Sequence, residues 1–378
     1  MNKPSMLIIS FSDMKNDPRV FRQLKLFKDY FQVTAIGFKD PEFEGVDFHH
    51  IIVKNKTPLR NLKRALFLKT RMFNKYYSET FDSDTLLQSF KDVRFDVVIA
   101  NDNDSLPLSF MIDDGKKVIH DAHEYSPRQY DDQMSWRFFM KGYREWVCST
   151  YLARCAQLIT VSEGVAEEYQ RSFGVHPIII TNATDFVDIT PSVVDGRAIK
   201  IIHHGSANRS RNLEILIEMV TYLDTRFSLF LMLLPVDKKY YKELKKASEG
   251  NDRIKFVNPV SMNEIVNVTN QYDIGIFISK PVNFNLLHVL PNKFFEFIQA
   301  RLAVAIGPSP EMVRYVTKFD CGVVCSNFSA KAMAETLNGL TADRIRYYKA
   351  QSNMAAKELS SEENMKTLKE IVEGIIGK

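Results

Sequence analysis

The stretch Leu290-Pro-Asn-Lys-Phe-Phe-Glu296-Phe-Ile-Gln-Ala300 decides how this chain reads. Pro291 suits the first position of a helix, where its missing N–H costs nothing. Phe294, Phe297 and Ile298 recur at helical spacing and supply a buried face. Leu302-Ala-Val-Ala-Ile306 follows as an apolar run of strand length, Gly307-Pro-Ser-Pro310 breaks it, and Glu311-Met-Val-Arg-Tyr-Val316 begins another helix. Backbone N–H groups at a helix start can hold a phosphate. Glu296 sits about one turn deeper, where a carboxylate can accept hydrogen bonds from two neighbouring hydroxyls. A phosphate site and a diol site one turn apart suit a nucleoside diphosphate. The same spacing also fits an ordinary core helix with Glu296 in solvent, since charged residues are mostly exposed.

The 378 residues around that stretch are enough for two domains. Hydrophobic residues make up 45% and charged residues 25%, the proportions of an ordinary globular enzyme. No apolar run approaches the roughly 20 residues of a membrane span. Met1-Asn-Lys-Pro-Ser-Met-Leu-Ile-Ile is too short for a signal peptide and reads as the approach to a first buried strand. Cys148, Cys155, Cys321 and Cys325 lack Cys-x-x-Cys spacing, which disfavours zinc and a disulfide framework and fits a reducing cytoplasm. A net charge of +4 is too small to argue for nucleic acid.

From the start, Met6-Leu-Ile-Ile-Ser-Phe11 reads as a strand, Ser12 to Asp17 as a polar loop, Pro18 to Phe27 as a helix and Gln32 to Gly37 as a second strand. This opening predicts a parallel sheet, and the missing Gly-x-Gly-x-x-Gly disfavours a dinucleotide fold. Asp17 fits a helix cap. Asp96-Val-Val-Ile-Ala100 is a buried strand, and Asn101-Asp102-Asn-Asp104-Ser-Leu-Pro107 follows at its carboxyl end, where open α/β sheets place ligands. Lys117-Val-Ile-His120-Asp-Ala-His123-Glu124-Tyr125 concentrates two histidines and two carboxylates in one strand end and loop. Histidine there can hydrogen-bond a sugar hydroxyl or shuttle a proton. Arg137 to Ala156 reads as one long amphipathic helix.

The stretch 185–198 lacks periodicity and reads as a linker between domains at 1–184 and 199–360, with a last helix in 361–378. The second half opens on Lys200-Ile-Ile-His203-His204-Gly205, a strand running into Ser206-Ala-Asn208-Arg209-Ser-Arg211-Asn212. Glycine and small residues let backbone approach a phosphate, and Arg209 or Arg211 can clamp a diphosphate with paired N–H donors. From spacing alone, a polar loop with surface arginines fits equally well.

Between Lys54 and Lys75 stand Lys56, Arg60, Lys63, Arg64, Lys69 and Arg71 with no acidic residue, interleaved with Leu59, Leu62, Leu66, Phe67 and Phe73. A basic amphipathic helix of this kind can lie on an anionic membrane surface. It can also be a core helix with a solvated face.

Taken in order, from about residue 6 to 340, these segments resemble GT-B glycosyltransferases of the family-4 type. The resemblance rests on Leu290-Pro-Asn-Lys-Phe-Phe-Glu-Phe with Pro308-Ser-Pro-Glu-Met312, on Asp17-Pro-Arg19-Val, and on the Asp102-x-Asp104-Ser-Leu-Pro loop. His123-Glu124, Ser162-Glu-Gly164 and the Gly205 to Arg211 loop complete it. It implies an α/β chain of two Rossmann-like domains whose parallel sheets face an interdomain cleft, with the last helix crossing back to the first domain. It implies a retaining, metal-independent hexosyl transfer from a nucleotide diphosphate-sugar, such as a UDP- or GDP-sugar, and no cofactor. The acceptor hydroxyl would belong to a glycan or lipid-linked glycan, as in polysaccharide biosynthesis, in a cytoplasmic enzyme peripheral to the inner membrane face.

On the same resemblance, Glu296 holds the donor ribose, and Leu290, Pro291, Asn292 and Lys293 lie against the donor with Gly205, Arg211 and Arg209, the first choice for the clamp. His123 contacts the transferred sugar, with His120 ranked second, and Asp17, Arg19, Asp102 and Asp104 face the acceptor side. Three positions depart from the pattern. His288 stands where the family often has a glutamate near the donor sugar, Arg301 where a glycine commonly ends the helix, and Ala303 where proline is usual. Two other readings remain: a nucleotide-sugar epimerase of the same fold, which needs extra carboxylates near the anomeric carbon, and a non-catalytic nucleotide-sugar-binding protein.

Overall fold

The computed structural model describes residues 3–113 and 115–377; Met1 and Asn2, read as leading into the first strand, and Lys378, read as ending the last helix, lie outside them. The chain divides into two units. One holds the residues up to Thr181, Asn283–Asn285 and those from Asn364 on; the other holds Asn182–Val282 and Leu286–Glu363.

The first unit is built on strands β1 (Ser5–Ser10), β2 (Gln32–Gly37), β3 (Val46–His50), β4 (Val97–Asn101), β5 (Val118–Ala122), β6 (Gln157–Thr160) and β7 (Ile178–Ile179). They form one seven-stranded sheet in the order β3-β2-β1-β4-β5-β6-β7, with every pairing parallel. A parallel sheet is covered on both faces, so its strands read as unbroken apolar runs. Met6, Leu7, Ile8 and Ile9 of β1 are accordingly all fully buried. Leu7 and Ile9 pack with Val98 and Ala100 on one face, while Met6 and Ile8 pack with Val20, Leu24 and Phe27 on the other. Leu368 and Val372 of the final helix, Ser361–Ile376, join that second cluster. The order reverses at β1, whose neighbours are β2 and β4, and the carboxyl ends around such a reversal are where open sheets bind ligands.

The second unit repeats the plan with β8 (Ile199–Ser206), β9 (Phe227–Leu234), β10 (Ile254–Val257), β11 (Ile274–Phe277), β12 (Ala303–Ile306) and β13 (Gly322–Val324). Its order is β10-β9-β8-β11-β12-β13, again all parallel, with the reversal at β8. The helix Asn292–Gln299 lays Phe294, Phe297 and Ile298 onto this sheet, all fully buried. Phe297 comes so close to β11 that a side chain on Gly275 would meet its ring at 2.3 Å. Pro291 precedes this helix as its cap rather than occupying its first turn.

Arg301 adopts the left-handed conformation (φ 59) that a glycine would take after the helix. The strain is offset by its buried guanidinium, which donates to the Val187 and Gln299 carbonyls and to Asn353. The stretch 185–198 has no helix or strand, and Val194 within it is buried in the second unit's core.

Two expected helices differ. Arg137 to Ala156 is not one helix but two, Met134–Phe139 and Lys141–Tyr151, with the break at Met140. The basic stretch is a helix over Pro58–Lys69 that ends before Arg71 at φ 56, followed by a second helix, Phe73–Thr80. Its faces are inverted from the usual amphipathic pattern. Arg64 is buried, donating to the carbonyls of Lys54 and Glu79, whereas Leu59, Leu62 and Leu66 are each more than half exposed. No helix among the described residues is long and apolar enough to cross a membrane.

Candidate functional sites

In the second unit the site grows from the end of β8. Gly205 holds φ 135, a conformation L side chains rarely adopt, and a Cβ there would lie 2.8 Å from Lys293 Nζ. Glycine is therefore needed for the backbone, and it lets the tip of Lys293 come in close. Lys293 lies in the first turn of the helix Asn292–Gln299, and its Nζ is 3.4 Å from His203 Nε2 and 5.3 Å from the centre of the Phe277 ring. His203 Nδ1 lies 2.9 Å from the Ile276 carbonyl and donates to it, which leaves Nε2 as an acceptor for the ammonium. Burial, then the Lys293 charge, drives His203 well below its ordinary value. Burial and the Arg211 guanidinium push the Lys293 ammonium down to about 7, against the opposing pull of Glu296. The lysine is thus held where its charge is disfavoured.

Glu296 stands one turn further on, its Oε2 3.4 Å from His204 Nε2. Burial holds His204 down to about 3, so the imidazole is neutral and the contact is not an ion pair. Arg209 turns away: its guanidinium pairs with Glu243 and covers the Tyr240 ring at 5.0 Å. Arg211, not Arg209, is the arginine whose charge reaches Lys293 and His203. Leu290 is buried, with its carbonyl accepting from Asn182 at 3.3 Å. His288 donates from Nδ1 to Glu311 at 2.8 Å, and that glutamate is wholly buried in the first turn of the helix Pro310–Phe319. A carboxylate is thus present behind residue 288, with an imidazole in front of it. Nothing in the sequence ties Glu311 to His288.

In the first unit two layers lie at the carboxyl ends of β4 and β5. The deeper one is a buried bracket. Arg19 meets both Asp121 oxygens at 2.7 Å and donates to the carbonyls of Ile180 and Thr181. Gln23 donates to Asp121 as well, at 2.7 Å. Burial opposes ionisation of Asp121, and the Arg19 charge overrides it, leaving the carboxyl below its ordinary value. Asp17 caps the helix Pro18–Phe27, accepting from the Arg19 and Val20 N–H groups. Arg19 therefore serves the fold, and Asp17 spends its side chain on the cap.

Above the bracket, His123 is partly exposed, with Nε2 3.2 Å from Asn101 Oδ1 and Nδ1 3.4 Å from Asp102 Oδ2. Asp102 sits at φ 59, a strained position for a residue with a side chain. His120 is fully buried and donates from Nδ1 to the Ala100 carbonyl at 3.0 Å; burial lowers it to about 4. Asp104 pairs with Arg144 at 2.9 Å and accepts from the Tyr143 hydroxyl. These groups enclose a cavity of about 200 Å³ lined by Asp102, Asn103, Asp104, His120, Glu124 and Arg144 among others. Burial and Asp102 raise the Glu124 carboxyl to about 7. His123 does not line this cavity; His120 does. Glu124 was read from sequence only as part of the His123-Glu124 loop, and Arg144 was not singled out; it carries no local signal, since it arrives from a helix well downstream.

Residues 28–187 match the family model described as Glycosyltransferase Family 4. No curated protein matches the sequence significantly. Among solved structures, the chain is similar to a sucrose-phosphate synthase from Thermosynechococcus elongatus (13% identity, TM-score 0.73, covering 99% of this chain and 100% of that one). It is also similar to a glycosyltransferase from Rickettsia africae (13% identity, TM-score 0.70, covering 100% and 99%). A third is Anabaena HepE, solved with UDP and glucose (13% identity, TM-score 0.66, covering 97% and 98%). These likenesses establish the GT-B fold, and the resemblance drawn from the motifs is the one the comparisons return.

Proposed function

We propose that this GT-B chain is a retaining, metal-independent glycosyltransferase that moves a hexosyl group from a nucleoside diphosphate-sugar to an acceptor hydroxyl. The observation that carries the reading is the crowding of Lys293, Arg211 and His203 around Gly205 at the start of the helix Asn292–Gln299, with Glu296 one turn deeper. Charge growing on a leaving diphosphate is stabilised by fixed cations and helix N–H groups, and Lys293 with Arg211 supplies the cations without a metal. Glu296 accepts the ribose hydroxyls. His288, stiffened by Glu311, faces the donor sugar, and His123 on the first unit contacts the sugar in transfer. A structural neighbour solved with UDP and glucose supports a UDP-sugar as the first donor to try.

The acceptor in this reading belongs to a glycan or lipid-linked glycan, and the enzyme works at an anionic membrane surface. The exposed Leu59, Leu62 and Leu66 beside exposed Lys56, Lys63, Lys69 and Arg71 support it, since apolar side chains can enter the leaflet while each basic residue adds about 1 kcal/mol. Replacing those four basic residues by Gln should abolish pelleting with anionic liposomes at low salt; a parent protein that ignores such liposomes removes the membrane from this reading.

The experiment for the activity is a thermal-shift panel of nucleoside diphosphates and their sugars. A ligand that binds only the folded state raises the melting point. At least one diphosphate should do so, and its sugar should then be transferred or slowly hydrolysed in the presence of a chelator. No shift with any nucleoside diphosphate overturns the reading.

A further inference from the structure

Three residues between β11 and the helix Asn292–Gln299 part from their neighbours in the chain. Val282 and Leu286 belong to the second unit, yet Asn283–Asn285 belong to the first. Each of the three side chains has a partner there. Asn283 Nδ2 donates to Asp132 Oδ1 at 2.9 Å. Phe284 is 9% exposed, its ring edge-on to Tyr125 at 5.3 Å and covered by the Arg128 guanidinium at 4.9 Å. Asn285 reaches the turn that follows β5. Its Oδ1 accepts from the Tyr125 N–H at 2.9 Å, and its Nδ2 donates to the Tyr125 carbonyl and to Glu124 Oε2, both at 3.2 Å.

A backbone N–H, a backbone carbonyl and a carboxylate side by side call for one acceptor and two donors, which is the inventory of an asparagine amide. Aspartate in its place would set oxygen against oxygen twice. Tyr125 lies outside helix and strand, so its N–H has no ladder to join, and Asn285 takes that role. Glu124 Oε1 accepts from Gln129 Nε2, so the two amides address both oxygens and favour the ionised carboxylate. Burial and Asp102 oppose that charge and hold the carboxyl up at about 7. His123 comes immediately before these two residues, so whatever fixes their backbone also sets where the imidazole points.

We propose that Asn285 is a positioning residue: seated by Asn283 and Phe284, it fixes the His123-Glu124-Tyr125 turn and the Glu124 side chain, and so orients His123 toward the sugar in transfer. The benefit to transfer rests on the transferase reading; the hold on the turn rests on these contacts alone.

The test is hydrogen exchange of the full-length protein at pH 8, read by mass spectrometry on the peptide that contains Tyr125. Asn285→Ala should speed its exchange tenfold or more, and Asn285→Asp should speed it further, because Glu124 is mostly ionised at that pH. Adding Glu124→Gln to Asn285→Asp exchanges donor and acceptor across the contact and should bring the rate back to within threefold of the parent's. In turnover with the sugar nucleotide that the thermal-shift panel selects, Asn285→Ala should lower kcat tenfold or more and leave the nucleoside diphosphate shift in place. The proposal is overturned by unchanged exchange in Asn285→Ala, by a double variant that is not rescued, or by an unchanged kcat. Faster exchange throughout the first unit, rather than at this turn, would mark Asn285 as a fold residue and overturn it as well. A parent that transfers no sugar would instead sink the transferase reading, and exchange with its rescue would then decide the hold on the turn.

Discussion

Both units put their polar residues at the carboxyl ends of parallel strands beside a reversal in strand order, yet the two ends are electrically opposite. In the first unit the charges are matched within the protein. Asp121 has Arg19, Asp104 has Arg144, and the remaining polar groups ring a small cavity. In the second unit Lys293 faces Arg211 and two neutral histidines, with Glu296 as the opposing pull. One end pairs most of its charges by folding; the other crowds like charges together. The comparison teaches that a shared scaffold leaves the ligand class to a few loop residues, and it says where substitutions should hurt: stability in the first unit, binding in the second.

The largest effect should come from breaking the matched pair. Arg19→Ala leaves the Asp121 carboxylate buried without its cation and should cost about 3–5 kcal/mol of stability, read as a lower urea midpoint. A midpoint within experimental error of the parent's would mean the first unit's charges are not matched by folding, and the contrast fails there.

Lys293→Met should show the opposite pattern. A crowded ammonium is removed, so the urea midpoint should hold or rise. Affinity for the nucleoside diphosphate should fall by about 1.5–3 kcal/mol, the range for a hydrogen bond to a charged group, while affinity for the nucleoside stays unchanged. Arg209→Ala should cost less than Arg211→Ala in the same titration, because Arg209 is spent on Glu243 and Tyr240. The reverse order would return the clamp to Arg209.

How much of this was legible in the sequence follows from what is local. The strands stand out because both sheet faces are covered, making Met6 to Ile9 or Ala303 to Ile306 continuous apolar runs. The helix after Pro291 stands out through the spacing of Phe294, Phe297 and Ile298. Gly205 was legible as a loop glycine, but not that the tip of Lys293 lies against it, which depends on β8 lying beside a helix far along the chain. Arg144 meets Asp104 for the same non-local reason. The basic helix fails differently. Its periodicity shows an apolar stripe but not which stripe faces inward, and Arg64 decides that by finding the Lys54 and Glu79 carbonyls, turning Leu59, Leu62 and Leu66 outward.

The smallest effect, and the sharpest test of the contrast, is the pH dependence of diphosphate binding. In the free protein Lys293 loses its proton near 7, because burial and Arg211 disfavour the charge. A bound diphosphate favours the charge and raises that value. Below 7 the ammonium is already present in the free protein, and binding takes up no proton from solution on its account. Above 7 binding must restore the proton, so affinity falls as pH rises through 7, by at most tenfold, about 1.4 kcal/mol, per unit. The fall stops once the pH passes the raised value of the complex. Other groups do not blur the slope. His204, near 3, and His203, well below its ordinary value, are neutral throughout, and Arg211 stays charged. A terminal phosphate has its second ionisation midpoint near 6, so ligand charge is nearly constant by pH 8. Calorimetry at pH 8 in two buffers of different ionisation enthalpy should count a fraction of a proton taken up per diphosphate bound, and Lys293→Met should abolish it. Proton uptake that survives this substitution would place the titrating group elsewhere and remove the electrostatic asymmetry between the two units.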